Sequence, residues 1–458
     1  MNNNFKCGLE IHVQISSAKS KIFCSCPNPT YLNKKNIEPN TLTCPTCLGL
    51  PGAKPSFNKK VLDEALKVAS ALNCEINEET FFSRKTYFYS DLPNSFQITQ
   101  YEKPLATEGE FQGIKIKRLH MEEDPGKLIH QGNTVLIDYN RSGTPLIEIV
   151  TEPEFTSPFQ VRQFLQNLLT LLEYLGVYNR KSEASLRVDA NISTTGARVE
   201  IKNIGSIKEV EKALNAERER QKSNPPKEQE TRGWNPELQS SILMRTKESE
   251  MDYGYIFEPN LTKIIIAQEQ IKKIKASLPE LQDKKTLRFI KQYKLKPEDA
   301  KVLTADLKHA DLFERVAKNI NHNLASRWFI REIPKILNYS KLTLEEWDIS
   351  EKEITELLDL IQSNKITERI AQKILEKLSQ KRFSPREYAE KNNLLIITAS
   401  VDIEKLCDKA IKENPKAVHD YKNGEEKALN FLFGKVMRES RGTADPYKVK
   451  ETLMKKVK

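Results

Sequence analysis

The 458-residue chain has no apolar run approaching the roughly 18 residues that would cross a bilayer, which argues against an integral membrane protein and leaves no membrane partner to expect. Its start, Met1-Asn2-Asn3-Asn4-Phe5-Lys6, lacks the apolar segment of a secretory signal, so a cytoplasmic chain is expected. No G-x-x-x-x-G-K-[ST] occurs, which disfavours a P-loop nucleotide site, and no H-E-x-x-H. The serine pairs Ser16-Ser17 and Ser240-Ser241 sit in no glycine-rich setting, so there is no sign of an amidase-type nucleophile. Internal repeats are absent. Cysteines are few and odd in number, seven, and four of them cluster. That pattern suits a metal in a reducing compartment better than a disulfide framework.

What is present is polar but sufficient for a core. Apolar residues make up 38% and charged residues 30%, which excludes low-complexity disorder for most of the chain. Seventy-three Lys and Arg against 63 Asp and Glu leave a net charge of +10, compatible with an anionic partner such as RNA without requiring one. Length alone suggests two to four domains.

Residues 1 to about 290 read as strand-dominated. Between Phe5 and Ile15 the odd positions are mostly apolar, and period 2 gathers Glu10, His12 and Gln14 on one strand face. Ser185 to Ile192 gathers Arg187, Asp189 and Asn191, and Arg198 to Lys202 returns as the second arm of an antiparallel hairpin. Val135 to Tyr139 and Leu146 to Val150 read as another hairpin, across Asn140-Arg141-Ser142-Gly143. Helices are expected after Asn58 and after Ser157-Pro158, the latter ended by Gly176. Gln221 to Glu230 reads as an exposed loop. From Leu278 onward short amphipathic helices take over, giving an α+β chain with a helical second half split near 405.

Three motifs bear chemistry. Cys24-Ser25-Cys26 and Cys44-Pro45-Thr46-Cys47, 17 residues apart, can converge on one structural zinc with a filled tetrahedral shell. Four reduced thiols are the other reading. Cys7, Cys74 and Cys407 are read as plain core or surface residues. Glu122-Glu123-Asp124, after His120-Met121, repel one another unless a cation joins them, and with Glu10 and His12 they could form a magnesium site. Glu122 and Asp124 would face one way and Glu123 the other. A solvated acidic turn fits the same residues. Arg84-Lys85-Thr86-Tyr87-Phe88-Tyr89 pairs two cations with alternating aromatics, suited to a phosphate and a stacked base, or simply to an aromatic-rich strand.

In order, Gly8-Leu9-Glu10-Ile11-His12-Val13-Gln14, Cys44-Pro45-Thr46-Cys47-Leu48-Gly49-Leu50-Pro51-Gly52, Tyr87-Phe88-Tyr89, His120-Met121-Glu122-Glu123-Asp124, Asp138-Tyr139-Asn140-Arg141, Glu200-Ile201-Lys202-Asn203 and Met244-Arg245-Thr246-Lys247-Glu248 resemble the B subunit of the glutamyl/aspartyl-tRNA amidotransferases, and Arg441-Gly442-Thr443-Ala444-Asp445-Pro446 extends the likeness into the tail. The resemblance implies a catalytic cradle over 1–293 bearing the cysteine cluster, a helical domain over 294–405 and a small all-α tRNA-binding tail over 406–458. It implies ATP, Mg2+ and mischarged tRNA as ligands. As partners in a heterotrimer it implies an amidase (A) subunit plus a small (C) subunit. The implied chemistry is phosphorylation of the side-chain carboxylate of Glu-tRNA(Gln) or Asp-tRNA(Asn), then amidation by ammonia from the amidase. Glu10, His12, Glu122, Glu123 and Asp124 become catalytic or metal-holding residues. Arg84, Lys85, Tyr87, Tyr89, Arg187, Asp189 and Lys202 become nucleotide contacts. Lys435, Arg438 and Arg441 become RNA contacts, in a stretch (435–458) with eight Lys or Arg against three Asp or Glu, a net charge of +5.

The chain departs from the family pattern at Ser90, Asn94 and Ser95, where proline, lysine and glycine are usual, and at Ala184, Val188 and Gly254. A phosphate-binding lysine therefore cannot be carried over to position 94. The rival reading is a non-catalytic zinc-containing tRNA-binding scaffold, which would have no reason to gather carboxylates beside a phosphate-rich partner.

Overall fold

The computed structural model describes residues 5–34, 36–179, 186–246, 254–344, 346–396, 400–440 and 442–457. Ala184, Lys247, Glu248 and Arg441 lie outside the described residues. The chain forms two compact units, Met1–Leu281 and Gln282–Lys458.

The strands of the first unit are β1 (Lys6–Gln14), β2 (Glu75–Ile76), β3 (Glu79–Thr80), β4 (Ser83–Thr86), β5 (Phe96–Thr99), β6 (Ala106–Phe111), β7 (Ile114–Glu123), β8 (Lys127–Gln131), β9 (Thr134–Asp138) and β10 (Pro145–Thr151). Then come β11 (Leu186–Ser193), β12 (Val199–Ile204), β13 (Glu230–Asn235), β14 (Ser240–Thr246), β15 (Gly254–Phe257) and β16 (Ile264–Ile265). Its helices are α1 (Pro29–Leu32), α2 (Lys59–Ala71), α3 (Pro158–Tyr174), α4 (Ile207–Ser223) and α5 (Gln268–Ala276).

Nine strands make one sheet in the order β14-β13-β12-β11-β1-β10-β7-β6-β2. All its pairs are antiparallel except β12 with β13, which α4 joins as a crossover. Strict alternation sorts the central strands. Leu9, Ile11, Val13, Leu119, Met121, Ile147, Ile149, Val188 and Ala190 are buried in one apolar core with the faces of α2, α3 and α4. Each Val, Leu, Ile or Met among them is worth about 1.5–3 kcal/mol of burial. The intervening residues, Glu10 and His12 among them, are left on the sheet's other face. α2 starts where Asn58 accepts from the Lys60 N–H, and α3 where Ser157 accepts from the Gln160 N–H, as the capping signals lead one to expect.

Two local readings need correction. β9 does not pair with β10: it turns back onto β8, with Lys127 opposite Asp138, while β10 enters the main sheet between β1 and β7. The reason lies in the turn. Arg141 Nε and Nη2 donate to the carbonyls of Pro125 and Gly126 (2.9 and 2.6 Å), and the Asp124 N–H donates to the Thr144 carbonyl (2.9 Å). These bonds close the base of a hairpin excursion and send the chain back into the sheet. Gln221 is likewise no loop residue. It is buried in the last turn of α4, where its Oε1 accepts from the Thr194 N–H and hydroxyl (2.9 Å each).

The second unit is helical throughout its described residues outside turns and loops. It holds two apolar clusters, one from Phe289 to Ala389 and one from Ile403 to Val457. Phe289 and Tyr293, on the helix Gln282–Tyr293, pack in the first of these, so packing begins the helical region at 282. No described helix is long and apolar enough to cross a membrane. Cys7, Cys74 and Cys407 are buried.

Candidate active site

Register across the four central strands β11, β1, β10 and β7 aligns Arg187, His12, Glu148 and His120 in one row. Two residues along β7, Glu122 joins them. His12 Nε2 lies 3.5 Å from Glu122 Oε1 and 3.4 Å from Glu148 Oε2. His120 Nε2 lies 3.2 Å from Glu148 Oε2 and 3.7 Å from Glu122 Oε2. The Thr99 hydroxyl donates to Glu122 Oε2 (3.1 Å). Ligand atoms of His12, Glu122 and Glu148 all fall within 4.8 Å of one another, a spacing that suits one cation. Glu122 and Glu148 are buried, and half-buried His12 leaves the group open on one side.

The electrostatics fit that reading. Burial works against the His120 cation, yet Glu148 and Glu122 carry its pKa up to about 9. Glu148, against the penalty of burial, is held well below the usual carboxylate range by His120 and His12. Without a metal, His12 and His120 face the two buried carboxylates directly. A divalent cation would take over that role at His12.

A second carboxylate group sits on the same face. Glu10, Asp189 and Glu200 offer oxygens within 4.8 Å of one another. Lys202 Nζ is 3.0 Å from Asp189 Oδ2 and 3.2 Å from Glu200 Oε1, and Asn191 Nδ2 donates to Glu10 Oε1 (3.1 Å). Burial, then Glu148 and Glu200, push the Glu10 carboxyl up. Glu10 and Glu122 therefore share a sheet face but belong to different ligand groups.

Asp124, fully buried, accepts from Gln14 Nε2 (2.6 Å) and Arg187 Nη2 (2.7 Å), so it orients Arg187. Glu123 points the other way. Its Oε1 accepts from the Ile98 N–H (2.9 Å), and burial pushes its carboxyl up to about 8. It lines a cavity of about 190 Å³ with Cys24, Cys47, Arg84 and Glu258.

Arg84 donates through Nε and Nη2 to Glu258 (2.7 and 3.0 Å) and lies over the Phe96 ring at 4.4 Å. That fork is engaged within the protein rather than presented to a phosphate. Lys85 Nζ lies 5.9 Å from the Tyr87 ring centre, and Tyr89 is exposed. The aromatic pair nearer the acid row is Tyr101 with Tyr255, stacked at 3.9 Å; Tyr255 lies within electrostatic range of Glu148 and Glu122. Lys435 and exposed Arg438 are one turn apart on the helix Glu426–Glu439.

The four cysteines do converge. Cys47 Sγ is 4.0 Å from Cys26 Sγ and 3.9 Å from Cys44 Sγ, and one sulfur from each of Cys24, Cys26, Cys44 and Cys47 lies within 4.8 Å of the rest. Tetrahedral zinc with bonds of about 2.3 Å sets its sulfurs about 3.8 Å apart, so the donor set fits a structural ion. The Cys24 thiol, with help from Lys21, pulls the Cys47 thiol below the usual range.

Sequence reading passed over Glu148, His120 as a partner, Glu200 and Arg118. A lone glutamate inside the apolar strand Leu146-Ile147-Glu148-Ile149-Val150 was a usable signal, because an unpaired buried charge is costly.

Residues 5–272 match the family model described as the GatB/GatE catalytic domain, and 311–457 match the GatB domain. The B subunit of the aspartyl/glutamyl-tRNA(Asn/Gln) amidotransferase of Carboxydothermus hydrogenoformans is 42% identical over 98% of each chain. That of Methanocaldococcus jannaschii is 43% identical over 99% of this chain and 98% of its own, and that of Thermotoga petrophila 42% over 96% of each. The chain belongs to the amidotransferase B-subunit family. Both carboxylate groups and the cysteine cluster fall inside its catalytic-domain match.

Proposed function

We propose that this chain is the phosphorylating and amide-forming subunit of a glutamine-dependent aminoacyl-tRNA amidotransferase, a C–N ligase acting on Glu-tRNA(Gln), Asp-tRNA(Asn) or both. The observation that carries the reading is the convergence of His12, Glu122 and Glu148 on one sheet face, beside Arg187 and Arg118. A carboxylate is a poor acyl donor because its leaving group would be oxide. Attack of a carboxylate oxygen of the tRNA-bound side chain on the γ-phosphorus of ATP expels ADP and forms an acyl phosphate. Ammonia then attacks the carbonyl and phosphate leaves. Such transfer needs positioning and charge stabilisation more than covalent help.

His12, Glu122 and Glu148 would hold Mg2+, which supplies charge neutralisation at the phosphates. Glu10, Asp189 and Glu200 offer a second carboxylate group. Arg187, oriented by Asp124, and Lys202, paired with Asp189 and Glu200, stand on the same sheet face as the acid row and would offset phosphate charge there. Ammonia is supplied by the amidase (A) subunit, the small (C) subunit is the third member of the complex, and the cytoplasm is its proposed compartment. The cysteine cluster is read as structural zinc.

The test is reconstitution with candidate amidase and small subunits, followed by amidation of both mischarged tRNAs. Product is expected only with ATP and Mg2+; ATP-independent amidation overturns the phosphorylation step. A chain ending at residue 399 lacks the Ile403–Val457 cluster with Lys435 and Arg438. It is expected to bind tRNA more weakly and with a shallower salt dependence, by about 0.7–0.9 in log–log slope for each phosphate it no longer neutralises. It should leave glutamine hydrolysis by the amidase intact. Unchanged tRNA affinity would remove the tail from RNA binding.

A further inference from the structure

Lys21 is among the largest fully buried side chains of the molecule. A buried ammonium is stable only beside an anion or a full set of acceptors. Its Nζ donates to Cys47 Sγ (3.5 Å) and to the Tyr139 carbonyl (3.3 Å), and no carboxylate pairs with it among the described residues. Among the described residues the anionic candidate it touches is therefore the Cys47 sulfur. Four thiolates around a divalent ion carry a net charge of −2, and the Cys47 sulfur that Lys21 touches is on the buried side of the cluster. The ammonium and the cluster's charge answer each other.

We propose that Lys21 is the internal counter-cation of the four-cysteine metal centre, and that it ties this centre to the turn that braces the acidic bend. The tie is continuous. Lys21 reaches the Tyr139 carbonyl, and its neighbour's N–H, at Ile22, donates to the Gly143 carbonyl (2.9 Å). The Ser142 hydroxyl donates to the Cys47 carbonyl (3.1 Å). Between Tyr139 and Gly143 stands Arg141, which holds the Pro125 and Gly126 carbonyls and lies 3.7 Å from Asp124. A Cβ at Gly143 would touch the Lys21 stem and the Cys47 Cβ (3.4 and 3.7 Å), so the turn packs directly on both partners.

The inference rests on the reading of the cluster as a metal centre, and one experiment separates the two. Full-length wild type and Lys21→Met, which keeps the length of the stem but not the charge, are loaded with zinc and titrated with a chromogenic chelator. The variant is expected to release zinc at about 10- to 100-fold lower chelator strength, the usual effect of losing a hydrogen-bond partner of a metal ligand. Melting is then compared with and without zinc. Loaded wild type should melt above loaded Lys21→Met, and stripping should narrow that gap, because apo wild type keeps at most the Cys47 sulfur beside the ammonium where the loaded centre carries a net charge of −2. Lys21→Arg, which keeps the charge, should recover part of the zinc affinity. Equal zinc affinity in wild type and Lys21→Met, or a melting gap unchanged by stripping, overturns the proposal and leaves the metal centre standing. A wild-type chain that takes up no zinc overturns both.

Discussion

Replacing Glu148 by Gln is expected to lower ATP-dependent amidation by about 10²–10³-fold or more, the range seen when one preorganised electrostatic group is lost at a reacting centre. Glu148 is the pivot of the acid row: His12 and His120 both reach its Oε2 (3.4 and 3.2 Å) and Arg118 Nη2 its Oε1 (3.9 Å). Gln keeps shape and loses charge, so three cationic or protonatable groups would face each other with only Glu122 between them. A cation held by His12 and Glu122 alone is bound weakly, and the Mg2+ concentration for half-maximal rate should rise together with the loss in rate. Glu122→Gln should behave alike. Glu123→Gln, on the other sheet face, should leave Mg2+ half-saturation where it is, because the Ile98 N–H still finds an amide oxygen. Glutamine hydrolysis by the partner amidase serves as the control for assembly. If Glu148→Gln amidates within twofold of wild type, the acid row has no part in the chemistry and the chain is a tRNA-holding zinc protein.

The parts of this site that were legible beforehand are those governed by short-range rules. Alternation from Leu9 to Ile15 puts Glu10, His12 and Gln14 on one face whatever the strand pairs with. The same rule separates Glu122 and Asp124 from Glu123, and Cys-x-Cys with Cys-x-x-Cys is a local spacing. What escaped is long-range register. His12 meets Glu148 only because β1 and β10 pair with residue 11 opposite 149, and no window of sequence contains both strands. The Arg84 fork is taken by Glu258, 174 residues away, which no reading of Arg84-Lys85-Thr86-Tyr87 could foresee. The misread hairpin has the same origin. A turn at Asn140–Gly143 was visible, but the bonds from Arg141 to Pro125 and Gly126 that decide where β9 folds belong to the packed molecule.

The four-cysteine cluster is proposed to hold zinc, and removing that ion is expected to be the larger blow to stability, and to reach the acid row as well. Four sulfurs held near 4 Å repel once ionised and lose their common partner when the ion leaves; metal binding at such sites is folding free energy. Cys47→Ser, or stripping with a strong chelator, should destabilise the first unit by about 3 kcal/mol or more, on the scale of losing a metal link. For a domain of that size this corresponds to a melting temperature lower by roughly 5–10 °C. The loop between Cys24 and Cys47 carries much of what holds the neighbouring turn: the Leu42 N–H donates to Asn140 Oδ1 (2.7 Å), the Asn40 N–H to Asp138 Oδ1 (3.0 Å), and the Ser142 hydroxyl to the Cys47 carbonyl (3.1 Å). Loosening that loop frees Arg141, and with it the carbonyls of Pro125 and Gly126 just after Glu122-Glu123-Asp124. Amide exchange at Glu123, Asp124 and Gly126 and at residues 139–144 should therefore rise in the stripped chain, while the far strands β13 and β14 keep their protection. Amidation should fall with it and return on adding zinc. Less than about one zinc per five chains after purification in zinc-containing buffer, or a stripped chain that melts and exchanges as before, would reduce the cluster to four reduced thiols.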